Sequence, residues 1–270
     1  MAGFATEADL AAALDAQTVL WRPWAKTFAN SDVTGNWCSA WPNGIIPPAG
    51  ATPATTPGTS YTNDPGGVTF PDLDPIRKFL VFHDWVPRSL NTTQNVLIVD
   101  RLVAVSGISL STTGDKTVSS VALPRYTDGI GVWAMLEITT APSTTAPTIS
   151  LNSYTDQDGN TGQVGGSISG TAVSNVAGTI LGPFPLAAGD TGVKAVSTVN
   201  VSVASATGVA NLILVKPLVG LGSTNQAIPS ERQRPHDYVR LFDGATLMFI
   251  AKVGGTGTPT GQGSIGVVYG

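Results

Sequence analysis

Few residues in this chain have types that could do chemistry, and the two histidines come first. His83 stands in His83-Asp84-Trp85 and His236 in His236-Asp237-Tyr238. Nucleophilic catalysis needs an imidazole beside an activated serine or cysteine, and no Gly-x-Ser-x-Gly turn accompanies either one. Both therefore read as structural histidines satisfied by polar or aromatic neighbours. Cys38 is the sole cysteine, which rules out an internal disulfide and a zinc site built on several thiolates. It reads as a small apolar packing residue. Asp156-Gln157-Asp158-Gly159-Asn160 alternates carboxylates ahead of a glycine, as calcium loops do. Its glycine comes too early in the loop and the distal bidentate Glu is missing, so the stretch reads as a hairpin turn. Asp72-Leu73-Asp74 is a weaker carboxylate pair. Gly220-Leu221-Gly222 and Gly255-Thr256-Gly257 lack the helix and lysine that complete a phosphate loop. Carboxylates for glycan cleavage exist, but no pair is singled out. The expectation is a protein that is not an enzyme, with no catalytic residue, no cofactor and no metal.

Residues suited to contact are easier to find. Trp21, Trp24 and Phe28 form an aromatic cluster near the N-terminus, fit either to close a local core or to anchor a neighbouring subunit. Trp37, Trp41 and Tyr61 serve either fate. Arg232 and Arg234 lie in the densest polar stretch, Ile228 to Tyr238, where planar guanidinium groups suit carboxylates on another subunit or simply decorate a surface loop. Trp85 and Trp133 are candidates for stacking on a host carbohydrate.

The elements that must position these residues are mostly strands. Only 12% of the 270 residues are charged, against about 25% in ordinary soluble domains. Gly reaches 31 and Pro 19, while Glu occurs only as Glu7, Glu137 and Glu231. Little helix surface needs solvating, which favours strands joined by turns. The net charge of −4 offers no basic surface for nucleic acid. It also leaves the protein weakly protected against association, as expected of a subunit covered by partners. No apolar run reaches the roughly 18 residues of a membrane span. The N-terminus lacks the basic start and apolar run of a secretory signal, so the sequons Asn91-Thr92-Thr93 and Asn200-Val201-Ser202 read as chance.

Thr6-Glu7-Ala8-Asp9 resembles a capping box, and Leu10, Leu14, Gln17 and Trp21 follow at helical spacing, predicting a helix from about Glu7 to Arg22. From Ser31 to Pro75 come eight prolines, which predict an extended, turn-rich arm. Beyond Pro75 the period becomes two. Ile130, Val132, Ala134, Leu136 and Ile138 share one face, with Trp133, Met135 and Glu137 on the other. Both faces are mostly apolar, so this strand should lie between layers. Further strands are expected at 79–83, 96–105, 117–123, 148–154, 163–173, 193–203, 209–216, 246–253 and 264–269, separated by turns at Gly114-Asp115, Asp128-Gly129, Asp158-Gly159, Gly189-Asp190 and Asp243-Gly244. The fold class expected is mainly β, a jelly-roll-like β-sandwich. The domain reading is a helix and Pro-rich arm over 1–75 and a sandwich body over 76–270, either undivided or split near 179.

Several phrases carry a resemblance. Val99-Asp100-Arg101-Leu102, Ala122-Leu123-Pro124-Arg125-Tyr126-Thr127-Asp128-Gly129, Val132-Trp133-Ala134-Met135-Leu136-Glu137, Ser153-Tyr154-Thr155-Asp156-Gln157-Asp158-Gly159 and Gly189-Asp190-Thr191-Gly192-Val193 resemble structural proteins of tailed phages and prophages. The likeness spans Asp100 to Val203 and is one of phrases, without a catalytic signature. It implies a virion component assembled in the host cytoplasm, a capsid decoration (cement) or minor capsid protein. The implied partners are the major capsid protein and copies of itself in a homo-oligomer, with no direct nucleic acid and no membrane. The alternative is a tail, neck or fibre component that binds a host carbohydrate.

Overall fold

The computed structural model describes residues 6–16, 19–28, 37–74, 76–87, 94–143, 145–170, 177–223, 239–253 and 260–269. One helix, α1 (Glu7–Asp15), precedes the strands. These are β1 (Leu20–Thr27), β2 (Trp37–Ser39), β3 (Thr59–Ser60), β4 (Lys78–His83), β5 (Val86–Pro87), β6 (Gln94–Ser109), β7 (Gly114–Thr117) and β8 (Trp133–Thr140). The second half adds β9 (Thr148–Asp156), β10 (Ser167–Ser169), β11 (Thr179–Leu181), β12 (Val193–Val203), β13 (Val209–Ser223), β14 (Val239–Leu241), β15 (Leu247–Val253) and β16 (Thr260–Tyr269). The mainly β expectation holds, in a specific form. Strands β13, β8, β11, β2, β15 and β6 pair in that order, and β13 pairs back onto β6, so six antiparallel strands close a barrel. A sheet ordered β1-β16-β4-β14 covers one outer face of the barrel, and a sheet ordered β10-β9-β12-β7 covers another.

Alternation along the barrel strands builds three apolar layers. In β8, Ala134, Leu136 and Ile138 pack outward against Leu151, Val196 and Val199, while Met135 points inward to Ile180, Ile213 and Met248. This is the two-faced strand that its sequence predicted. β6 serves both outer layers in turn. Val96 and Ile98 face Trp24, Phe249 and Val267, whereas Leu102 and Val105 face the layer of Leu136 and Leu212. Its ladder with β13 slips between Leu214 and Val215, the kind of bulge that lets one strand bend around a closed barrel.

The N-terminal helix forms where expected but ends early. Thr6 and Asp9 cap each other reciprocally, Thr6 N–H to Asp9 Oδ2 at 3.0 Å and Asp9 N–H to Thr6 Oγ1 at 3.2 Å. The helix stops at Asp15, and Trp21 to Phe28 lie instead in or just after β1, with Trp24, Lys26 and Phe28 facing inward. Pro23 is tolerated there because β1 is an edge strand among the described residues: it pairs β16 along its length, and its other side meets Ile46 through an isolated bridge at Ala25. Strand pairing also crosses the boundary expected at residue 75. β1 pairs β16 from Leu20↔Val267 to Thr27↔Thr260, and β2 bridges β11 and β15 within the barrel. Nor do the pairings divide the chain near 179, since β13 pairs both β6 and β8.

The Pro-rich stretch lies against this body. The Lys26 ammonium is buried and donates to the carbonyls of Asn43, Pro48 and Gly66 at 3.0, 2.9 and 3.3 Å. Burial lowers its pKa to about 8. Gly50 and Gly66 are required by close approach. A Cβ on Gly50 would fall 2.0 Å from the Trp41 ring, and one on Gly66 would fall 2.2 Å from Gly50 Cα.

His83, on β4, is fully buried, and neither ring nitrogen has a partner among the described residues. Burial pushes its pKa from 6.5 down to about 4. Between those values the unfolded chain binds the proton and the folded chain does not, so stability rises with pH across that window and is lost as the pH falls through it. At pH 4 this amounts to at most roughly 3 kcal/mol. Thermal melts from pH 7 to 4 should show that loss in the wild type and a flatter profile in His83→Phe. Equal slopes in the two would contradict it.

Among the described residues no helix is long and apolar enough to cross a membrane.

Candidate functional site

The barrel interior gathers the most unusual side chains. Arg101, on β6, is buried inside it and pairs with Glu137 of β8 at 3.2 Å. Its guanidinium lies 4.4 Å from the Trp41 ring centre and 5.0 Å from that of Tyr61, and it donates to Met248 Sδ at 3.2 Å. Trp41 and Tyr61 thus leave the Pro-rich stretch to plug one end of the barrel, edge to face at 5.1 Å. The plug is tied down by Trp41 Nε1–H to the carbonyl of Ala51 at 3.1 Å. Arg101 Nε, Glu137 Oε1 and the Tyr61 hydroxyl find no partner among the described residues. Burial raises the Tyr61 pKa. Beside the plug lies a cavity of about 240 Å³ bounded by Trp41, Gly50, Glu137 and Asn211.

A second buried pair ties the layers together behind the first. Arg125 grips Asp100 with two bonds, Nε–H to Oδ2 at 2.9 Å and Nη2–H to Oδ1 at 2.7 Å, and donates to the Tyr61 carbonyl. Asp100 also accepts from the Thr246 amide at 3.0 Å. Asp100 and Arg101 are adjacent on β6, so one strand places a carboxylate and a guanidinium on opposite faces.

The residues singled out for contact divide among different fates. Trp24 and Phe28 are buried around Trp85, with Trp24 and Trp85 stacked at 5.3 Å. Trp41 and Tyr61 are the barrel plug. Trp37 is half-buried beneath Lys252, whose Nζ lies 5.9 Å from its ring. Trp21 remains available. It is 48% exposed, meets Phe82 edge to face at 4.6 Å, and faces outward from β1. Beside it, Ile46 pairs with Ala25 through an isolated bridge, and Ile45 and Ile46 are more than half exposed. Arg232, Arg234 and His236 lie outside the described residues. Trp85 is fully buried and so cannot stack on a carbohydrate, while Trp133 is half-buried at the barrel.

The possible metal loop is a turn. Asp156 Oδ1 accepts the amides of Asp158 and Asn160, and Oδ2 accepts the Asn160 side chain, which fills the carboxylate with the turn's own donors. Desolvation opposes ionisation, yet together those bonds hold its pKa below the usual carboxylate value. Gly159, at φ 89°, supplies the left-handed residue the turn needs. Asp72 and Asp243 close instead on buried Lys78, with Asp243 at 2.6 Å. Among the described residues no three His, Cys, Asp or Glu side chains are placed to hold a metal ion. Sequence reasoning missed Lys26, Arg101 and Asp100 as organising residues, because a charged residue in a strand reads as solvent-facing until its partners are known.

Neither a protein-family model nor a curated protein matches the chain. Among solved structures, the VP2 subviral particle of infectious bursal disease virus aligns with 93% of this chain and 80% of its own at 10% identity, with a TM-score of 0.18. The T=1 particles derived from infectious bursal virus align with 94% and 79% at 11% identity, with a TM-score of 0.16. Scores this low define no common architecture, so what the chain does has to be argued from its own residues.

Proposed function

We propose that the chain is a structural subunit of a virus particle, in a tailed-phage setting, and that it binds the major capsid protein and its own copies as a decoration or minor capsid component. The observation that carries this reading is the apolar edge at β1. There Trp21, Ile45 and Ile46 stand exposed beside an edge strand, on a chain whose low charge does little to discourage association. A half-exposed tryptophan braced by Phe82 has the character of an interface anchor, since its ring is already held in place before a partner arrives. The phrases between Asp100 and Val203 that resemble phage structural proteins support the setting.

Trp21→Asp tests the contact. Because the side chain lies on the surface, the variant should keep the wild-type melting temperature within a few degrees. Its incorporation into particles should fall at least tenfold, read as copy number in purified virions. Hundreds of wild-type copies per particle fit the shell, whereas a dozen or fewer would transfer the chain to tail or neck. Unchanged incorporation of the variant would remove β1 from the interface.

A further inference from the structure

One cleft is used neither by the packing nor by the proposed assembly role. It measures about 470 Å³ and is bounded by Asp74, Ile76 and Arg77 ahead of β4, by 124–127, and by 240–243 at the end of β14. Most of its charged groups are already committed. Arg125 is held by Asp100, and Asp243 by Lys78 and by the amides of Leu73 and Asp74. Arg77 and Arg240 differ. Both are exposed, and neither has a carboxylate within 4.0 Å among the described residues.

The strand register puts these two cations on one face. β14 pairs β4 with Arg240 opposite Phe79 and Leu241 opposite Lys78. Carried one residue further, the same register sets Phe242 opposite Arg77. The Arg240 guanidinium lies 4.3 Å from the Phe242 ring centre, and Tyr126 meets that ring edge to face at 4.8 Å. Tyr126 adopts φ 51°, rare for an aromatic residue, and its buried hydroxyl has no partner among the described residues.

The geometry points to a binding site for an acidic saccharide, a sugar ring that carries a carboxylate. The Arg77 and Arg240 guanidinium forks, which have no carboxylate partner among the described residues, match a carboxylate's planar pair of acceptors. The Tyr126 and Phe242 rings offer apolar surface for the C–H faces of a sugar. The volume falls in the range of small-ligand pockets. Asp74, on the rim, can accept from further hydroxyls and disfavours ligands with dense negative charge. This site does not depend on the β1 contact, and either can fail without the other.

Isothermal titration of the full chain with trigalacturonate, maltotriose and inorganic sulfate at matched ionic strength tests it. Trigalacturonate should bind, maltotriose should bind at least tenfold more weakly, and sulfate should not compete at equal concentration. Arg77→Ala and Arg240→Ala should each weaken trigalacturonate about tenfold. Both residues are exposed, so their melting temperatures should stay within about 2 °C of wild type, which separates lost binding from lost folding. The inference is overturned if trigalacturonate does not bind, if maltotriose binds equally, if sulfate displaces the sugar at equal concentration, or if both variants bind as wild type does.

Discussion

A chain lacking residues 1–75 is expected to be unfolded or insoluble, not to survive as a separate β-sandwich. The deletion removes β1, which pairs β16 through Leu20 to Thr27, and β2, which joins β11 to β15. Without β2 the barrel opens and exposes two unpaired strand edges. The losses reach both adjoining cores. Trp24, Phe28, Cys38, Ala40, Val68 and Phe70 leave one, while Trp41 and Tyr61 leave the barrel interior. Deleting a large aromatic from a core costs about 3–5 kcal/mol, and several such losses together exceed the roughly 5–15 kcal/mol typical of a whole domain. Expression of 76–270 followed by circular dichroism and size-exclusion chromatography checks this. A soluble monomer with a cooperative melt would show that the segment is an appendage.

Glu137→Ala should be the most damaging single substitution in the barrel. It strands the Arg101 guanidinium in an interior where its other contacts are the faces of Trp41 and Tyr61 and the sulfur of Met248. Breaking a buried pair from one side costs about 3–5 kcal/mol, because the remaining charge is left without compensation. Removing both charges is a different matter. Arg101→Met combined with Glu137→Leu replaces the pair by apolar groups and should recover most of the loss, since the pair already leaves Arg101 Nε and Glu137 Oε1 unsatisfied. Urea denaturation of the single and double variants measures the difference. A double variant no more stable than Glu137→Ala would show that the ion pair itself holds the barrel.

The sequence made local features legible and left non-local ones hidden. The capping box at Thr6 and Asp9, the two-faced β8 and the turn glycines were readable because each is decided within a few residues. The helix is shorter than its spacing predicts for a physical reason. Trp21 and Trp24 fit helical spacing as well as a strand, and the alternation that would have revealed the strand runs through Lys26, which counts as polar until Asn43, Pro48 and Gly66 are seen to satisfy it. Strands of three residues such as β2 and β11 carry no period of their own and acquire meaning only from their neighbours. The contact candidates show the same limit. Aromatic identity marked Trp21, Trp24, Phe28, Trp41 and Tyr61 alike, and only the fold separates the exposed ring from those in the core. Arg77 and Arg240, which lack a carboxylate partner among the described residues, could not be told from Arg125 in sequence, because the difference lies in Asp100, a distant residue that occupies one and not the others.

The pairing of β1 with β16 also bears on timing. The strand that carries Trp21 finds its full-length partner about 240 residues later, at Thr260 to Tyr269. During synthesis, at about 5–20 residues per second, β1 waits many seconds for that partner. A nascent chain stopped before residue 260 therefore cannot present the outward face of β1 in finished form. Contacts this distant in sequence also place the chain among slow folders. An assembly that recognises β1 would accept subunits only after translation has passed β16, so the order of the chain itself would keep incomplete copies out of such an assembly.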